Sequence, residues 1–183
     1  MNKLVAIVGM CGSGKSVATE YFKNKNYEVI YFGGVTMKKL KEENLEVNPE
    51  NEKMMRERLR KEYGMGAYAK VLLDDIKESL SKGDVVLDGV YSWSELEILN
   101  EEFSNLIVLS IIVDKNIRYE RLSKREIRPL TYEEAKNRDL SEIKNIEKGG
   151  PISYADYFIL NNGTLEEYNN NLDIVYEKIG KRM

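Results

Sequence analysis

The chain has no histidine, one cysteine, three prolines and one tryptophan in 183 residues. Without histidine there can be no Ser-His-Asp or Cys-His triad, no imidazole base and no His-ligated metal. Any metal must be held by oxygen, which points to Mg²⁺. A lone cysteine, Cys11, closes no intrachain disulfide, and the sequence opens on a strand pattern without a secretory signature. A reducing, cytoplasmic setting is therefore expected. No apolar run approaches the roughly 20 residues that cross a bilayer. Net charge is −3, from 28 Lys and Arg against 31 Asp and Glu. That balance gives no reason to expect nucleic acid or a membrane surface as a partner. A small-molecule substrate is expected instead, with the chain as a monomer or homodimer.

What is present is a glycine-rich loop. Residues 9–16 read Gly-Met-Cys-Gly-Ser-Gly-Lys-Ser, which matches G-x-x-x-x-G-K-[ST], the phosphate-binding P-loop or Walker A pattern. Gly9 and Gly14 let the backbone wrap closely around an anion, and Gly12 and Ser13 keep the middle small. The backbone N–H groups then form a nest at the positive end of the following helix. Lys15 is expected to reach the β- and γ-phosphates of ATP, and the Ser16 hydroxyl to bind Mg²⁺. The context agrees. An apolar, β-branched run at 4–8 precedes the loop, and Val17, Ala18, Tyr21 and Phe22 follow at helical spacing.

Further strands are predicted over 27–32, 84–89, 106–113 and 157–160, the third of these being the most hydrophobic and read as central. Helices are predicted over 15–24, 35–45, 49–63, 67–81, 92–103, from Asp114 through Arg125, from Thr131 to Glu147 and from Thr164 to about Gly180. Asn48-Pro49, Ser92 with Glu95, Thr131 with Glu134 and Thr164 with Glu167 are the starting signals. Gly149-Gly150-Pro151 is read as a break. Strands alternating with helices imply an α/β three-layer sandwich around a five-stranded parallel sheet. Ligands in such folds bind at the carboxyl ends of the strands. Gly9, Gly33, Asp88 and Asp114 fall at those ends.

Asp88, closing Val-Val-Leu, is a candidate Mg²⁺ or acceptor-positioning acid; the alternative is a cap. Arg118, Arg121, Arg125, Arg128 and Arg138 form a second candidate group, suited to the charge on a transferring phosphoryl group. The alternative is a solvated face paired with Glu120, Glu126, Glu133 and Glu134. Around 52–62, arginines and lysines interleave with glutamates, which favours a solvated helix. Arg60 is the residue there chosen for an acceptor.

These residues together resemble the nucleoside-monophosphate-kinase group of P-loop kinases, in particular small archaeal-type adenylate-kinase-related proteins. The C-terminal part is also similar to dephospho-coenzyme A kinase. The P-loop, Leu-Arg-Lys-Glu-Tyr-Gly at 59–64, Val-Leu-Asp-Gly at 86–89, Val-Asp at 113–114, Glu-Arg-Leu-Ser-Lys-Arg at 120–125, Asn-Arg-Asp at 137–139 and Ala-Asp-Tyr-Phe-Ile-Leu-Asn-Asn-Gly at 155–163 carry the resemblance. It implies one domain over 1–183, with an acceptor-binding helical insertion at about 35–82 and a helical lid at about 118–148. It also implies that Arg121 flanks the adenine, that Arg125 and Arg138 contact the transferring phosphates, and that Asn161 to Thr164 lie near the base. Two stretches depart from the group. Asp88-Gly89-Val90-Tyr91-Ser92 lacks its Pro-Arg, and Gly33-Gly34-Val35-Thr36-Met37 lacks its Asp and arginine, with Lys38 adjacent. Gly34, Lys38, Arg60 and Tyr91 are the candidate acceptor contacts. The expected function is Mg²⁺·ATP-dependent phosphotransfer to a nucleotide-like acceptor, with a nucleoside monophosphate first and dephospho-coenzyme A second. A nucleotide-binding switch without a small acceptor is the rival of another class.

Overall fold

The computed structural model describes residues 2–181. Its elements in chain order are β1 (Leu4–Val8), α1 (Lys15–Asn24), β2 (Glu28–Tyr31), α2 (Gly34–Glu42), α3 (Pro49–Tyr63), α4 (Ala67–Lys82) and β3 (Val85–Asp88). These are followed by α5 (Trp93–Glu102), β4 (Leu106–Ile112), α6 (Lys115–Ser123), α7 (Tyr132–Ile146), α8 (Gly149–Ser153), β5 (Tyr157–Leu160) and α9 (Leu165–Lys181). The five strands form one sheet in the order β2-β3-β1-β4-β5, all parallel.

β1 lies in the middle because both of its faces are buried and all five of its residues are apolar. Its side chains alternate between two cores. Leu4, Ala6 and Val8 join Phe32, Leu40, Met55, Ile76 and Leu96 on one side of the sheet. Val5 and Ile7 join Phe22, Leu109, Ile111, Leu172 and Ile179 on the other. Helices α2 to α5 therefore cover one face, and α1 with α9 covers the other. β4, the most apolar strand, is interior but not central; it separates β1 from the edge strand β5. Burying one such side chain stabilises by about 1.5–3 kcal/mol, so the sheet holds the site rigidly from below.

Local signals set the helix starts. The Asn48 side chain accepts from the Asn51 N–H and Pro49 opens α3. Ser92 with Glu95 and Thr131 with Glu134 close reciprocal capping boxes. Thr164 and Glu167 exchange the same pair of bonds at α9. Two expectations need correction. Asp114 does not cap α6 with its side chain; its N–H instead donates to Asn162 Oδ1, tying this corner to the end of β5, and α6 stops at Ser123 rather than Arg125. Residues 149–151 do not simply break the chain, because Pro151, near the start of a helix, has no need of its missing N–H. They begin the short α8.

Among the described residues, no helix is long and apolar enough to cross a membrane.

Candidate functional site

β1 pairs with β3 on one side and β4 on the other, so the chain leaves its carboxyl end at a topological switch point. The loop at 9–14 fills that point. Gly9, Gly12 and Gly14 all have positive φ, at +148°, +82° and +95°. The two outer positions admit no side chain. A Cβ on Gly9 would lie 2.6 Å from Ile111 O, and one on Gly14 would lie 2.6 Å from Asn161 Nδ2.

The loop carbonyls are tied down one by one. Lys15 Nζ donates to Gly9 O at 2.9 Å and Met10 O at 3.0 Å. Arg118 Nη1 donates to Cys11 O at 3.0 Å. Asn161 Nδ2 donates to Ser13 O at 3.0 Å, and the Tyr168 hydroxyl to Gly14 O at 3.1 Å. Five carbonyls are thus engaged by side chains. A peptide whose carbonyl is held on one side turns its N–H to the other, which is how a backbone anion nest is preorganised. Ser13 Oγ is buried without a hydrogen-bond partner, a polar atom left over beside the nest. Ser16, on the first turn of α1, keeps its side chain exposed.

Charges converge on this loop. Burial pulls the Lys15 ammonium down to about 8, and the nearby Lys148 ammonium pulls in the same direction; Cys11, Glu142 and Asp88 oppose them. Asp88 ends β3 directly beside Ile7 of β1. Burial raises its carboxyl above the ordinary value, with Lys15 and Thr19 partly offsetting this. Arg125 lies just past α6, with Nη1 3.9 Å from Cys11 Sγ. Arg138 projects from α7 and gives its Nε to Glu142 at 3.0 Å. Tyr91, half-buried in the loop after β3, carries the Lys148 ammonium 5.0 Å from its ring centroid.

The structure brings Gly9, Gly12, Ser13, Gly14, Lys15, Asp88, Asn161 and Tyr91 around the end of β1, with Arg125 and Arg138 bordering them. Arg121 sits in α6, where its charge opposes the burial that raises the Tyr168 hydroxyl. Arg60, in the last turn of α3, has a buried Nε without a hydrogen-bond partner and acts electrostatically on Glu95 and Tyr68. Gly34 begins α2, and Lys38 is exposed further along it.

Three charged residues did not stand out in the sequence, or were read otherwise. The sequence places Arg118 among the arginines suited to a phosphoryl group. It is instead buried, paired with Asp139 through Nη2 at 2.6 Å and aimed at a loop carbonyl. Lys148 and Glu142 carry no motif or capping signal in the sequence. They are mutually bonded at 2.6 Å beside the loop. Their i, i+6 separation belongs to no helical face, so no periodic signal could have found them. Elsewhere the solvated reading holds: Arg58 pairs with Glu43 and Lys53 with Glu57 on exposed surface. Glu52 departs from it, as does the buried Nε of Arg60. Glu52 is buried, and it binds Arg56 of its own helix and Arg128 of the loop between α6 and α7.

Residues 5–146 match the family described as AAA domain. The chain is 32% identical over 181 residues to a UPF0200 protein of Thermococcus gammatolerans, covering 96% of this chain and 95% of that one. It is 33% identical over 181 residues to a UPF0200 protein of Pyrococcus horikoshii, with coverage of 96% and 97%. Among solved structures, a shikimate kinase from Bacteroides thetaiotaomicron superposes with a TM-score of 0.63 at 12% identity, over 98% of this chain and 99% of that one. A dephospho-CoA kinase from Campylobacter jejuni gives 0.56 at 17% identity, over 97% of both chains. These likenesses show a kinase-like P-loop fold. By the match over 5–146 and the full-length likeness to its relatives, the chain belongs to the UPF0200 family and carries an AAA domain.

Proposed function

We propose that this protein is a Mg²⁺·ATP-dependent phosphotransferase acting on a small, anionic, nucleotide-like acceptor, with a nucleoside monophosphate as the first choice. The observation that carries the reading is the loop at 9–14. Five of its carbonyls are bonded by side chains, an arrangement that suits N–H groups turned toward an anion next to Lys15. Such a nest suits a polyphosphate.

In this reading Gly9, Gly12, Ser13, Gly14, Lys15 and Ser16 bind the triphosphate, and Arg121 and Asn161 border the base. Ser16 and Asp88 would hold Mg²⁺ together with phosphate oxygens and water. Among the described residues no group of three or more carboxylate, thiol or imidazole side chains could hold a metal alone. That fits an ion which keeps several waters and is shared with its substrate. When bound, Mg²⁺ would neutralise charge on the phosphates. Lys15, Arg125 and Arg138 would stabilise the charge that spreads over the moving phosphoryl group. The helices over about 35–82 would form the acceptor side, through Gly34, Lys38, Arg60 and Tyr91, and residues of about 118–148 the lid.

A hydroxyl acceptor such as dephospho-coenzyme A is the second reading. One placement favours it: Asp88 ends β3 beside Ile7, at the carboxyl end of β1, where burial makes its carboxyl more basic than usual, as a base for a hydroxyl should be. A coupled assay with ATP and either nucleoside monophosphates or dephospho-coenzyme A separates the two. Lys15→Ala should reduce turnover roughly a hundredfold or more. Binding of ATP with slow hydrolysis that neither acceptor accelerates would replace both readings with a nucleotide-binding switch.

A further inference from the structure

Lys148 is the one lysine among the described residues with almost no exposure, at 2%. Glu147 takes a left-handed conformation at the end of α7, and the chain reverses there, so that Lys148 enters the molecule rather than leaving it. Its ammonium lies 2.6 Å from Glu142 Oε2, and the other oxygen of that carboxylate accepts from Arg138 Nε at 3.0 Å. Burial opposes the ionisation of Glu142, but the two cations outweigh it and hold the carboxyl below its ordinary value. One carboxylate shared by two cations leaves a surplus positive charge. The cluster lies beside the P-loop: Glu142 is one turn of α7 beyond Asp139, whose partner Arg118 donates to the Cys11 carbonyl at 3.0 Å, and Lys148 acts electrostatically on Lys15.

Stability does not call for this arrangement. Burying a lysine costs free energy even when it is paired, and an apolar pair of similar volume often folds as well or better. The nearby, part-buried Lys15 ammonium adds repulsion. The cluster makes sense where a further anion arrives.

Building on the phosphotransferase reading, we infer that Lys148 is a phosphate-binding residue and that Glu142 is its internal stand-in anion. In the free protein Glu142 holds Lys148 and Arg138 beside the P-loop. A bound polyphosphate takes both cations over. The Tyr91 face, 5.0 Å from the ammonium, supplies a second hold on Lys148 that does not compete with phosphate. Glu142 is therefore a competitor of the ligand as well as a positioning residue.

The test compares affinities for inorganic tripolyphosphate and for Mg²⁺·ATP, by calorimetry at pH 7, in wild type, Glu142→Gln, Lys148→Met and Lys148→Arg. Glutamine has the shape of Glu142 and still accepts one hydrogen bond from Lys148, so Glu142→Gln is expected to fold. Removing the competing charge should tighten tripolyphosphate binding at least severalfold, while the melting temperature falls. Lys148→Met should weaken it roughly tenfold or more, as loss of a charge-assisted bond does. Lys148→Arg should recover most of that loss. A structural pair makes the opposite prediction: Glu142→Gln would bind no tighter than wild type, and that result overturns the inference whatever Lys148→Met does. Wild type that binds neither ligand would instead sink the phosphotransferase reading itself.

Discussion

Arg118 and Asp139 form a bidentate ion pair, at 3.0 and 2.6 Å, whose side chains are only 7% and 8% exposed. The same guanidinium donates to the Cys11 carbonyl, and the Tyr119 hydroxyl completes the set on Asp139 at 3.0 Å. Helices α6 and α7 are thereby bonded to the middle of the P-loop. The Cys11 side chain adds apolar packing against Tyr119, Leu122 and Ala135. Helices α6 and α7 and the loop at 9–14 form one hydrogen-bonded unit.

Breaking that unit from either end should be costly. Asp139→Ala leaves the Arg118 guanidinium buried and uncompensated, which costs about 3–5 kcal/mol. At roughly 2–4 °C per kcal/mol for a chain of this size, thermal denaturation should show a fall of order 10 °C. An exposed pair such as Lys124 with Glu120 should show almost nothing when broken, which makes Lys124→Ala the control.

Asn161→Ala tests the nest more locally. It removes the bond to Ser13 O and opens space beside Gly14. The expected stability loss is small, about 1 kcal/mol. Affinity for Mg²⁺·ATP should fall by more than that loss accounts for, because the Ser13 peptide is no longer oriented. Calorimetric titration beside a melting curve distinguishes the two effects, and equal affinities would mean that the carbonyl bond does not organise the loop.

Anion binding should weaken as pH rises past about 8, where the free protein's Lys15 loses its proton. Burial is the main cause of that lowered value, with Lys148 next. A bound polyphosphate favours the charged ammonium and raises its pKa. Binding therefore takes up a proton above pH 8, and the affinity should drop about tenfold per pH unit there. Calorimetry between pH 7 and 9.5, in buffers of different ionisation enthalpy, measures both. For stability the sign is opposite: the lysine is protonated more readily unfolded than folded, so its contribution rises with pH between about 8 and its ordinary value of 10.5.

Glu95 offers a second pH signature, away from the nest. It is buried at the start of α5, and desolvation lifts its carboxyl to about 7, although the Tyr91 and Ser92 N–H groups favour the ionised form. The folded state then binds its proton more tightly than the unfolded chain. Its contribution is fully present below the ordinary value of 4.5 and is lost as pH rises to about 7. Glu95→Gln should keep the capping acceptor while removing this slope. Urea denaturation from pH 4.5 to 8 would reveal it as a flatter stability profile than that of wild type.

Much of this molecule could be read along the chain because its signals are local. Residues 9–16 specify the loop by steric need at Gly9 and Gly14, where φ is positive and a Cβ would lie 2.6 Å from a neighbouring atom. Period-2 and period-3.6 patterns place the strands and helices, and Ser92, Thr131, Thr164 and Asn48 mark helix starts where caps form. Asp88 is recognisable because an acid ends a run of buried apolar residues. Asp114 misleads for the same local reason: a good cap residue stands before α6, but its side chain makes no capping bond, and its N–H is tied to Asn162, 48 positions away.

The tertiary fold alone decided which charges face the site. Arg118 and Arg125 look alike in sequence, yet one is locked to Asp139 and the other borders Cys11. Lys148 and Glu142 became neighbours of Lys15 only when α7 ended in a left-handed turn and α8 redirected the chain. Spacing along a helix encodes short-range partners. The free energy of a buried charge depends on every group packed around it, and that surrounding is assembled from segments a hundred residues apart.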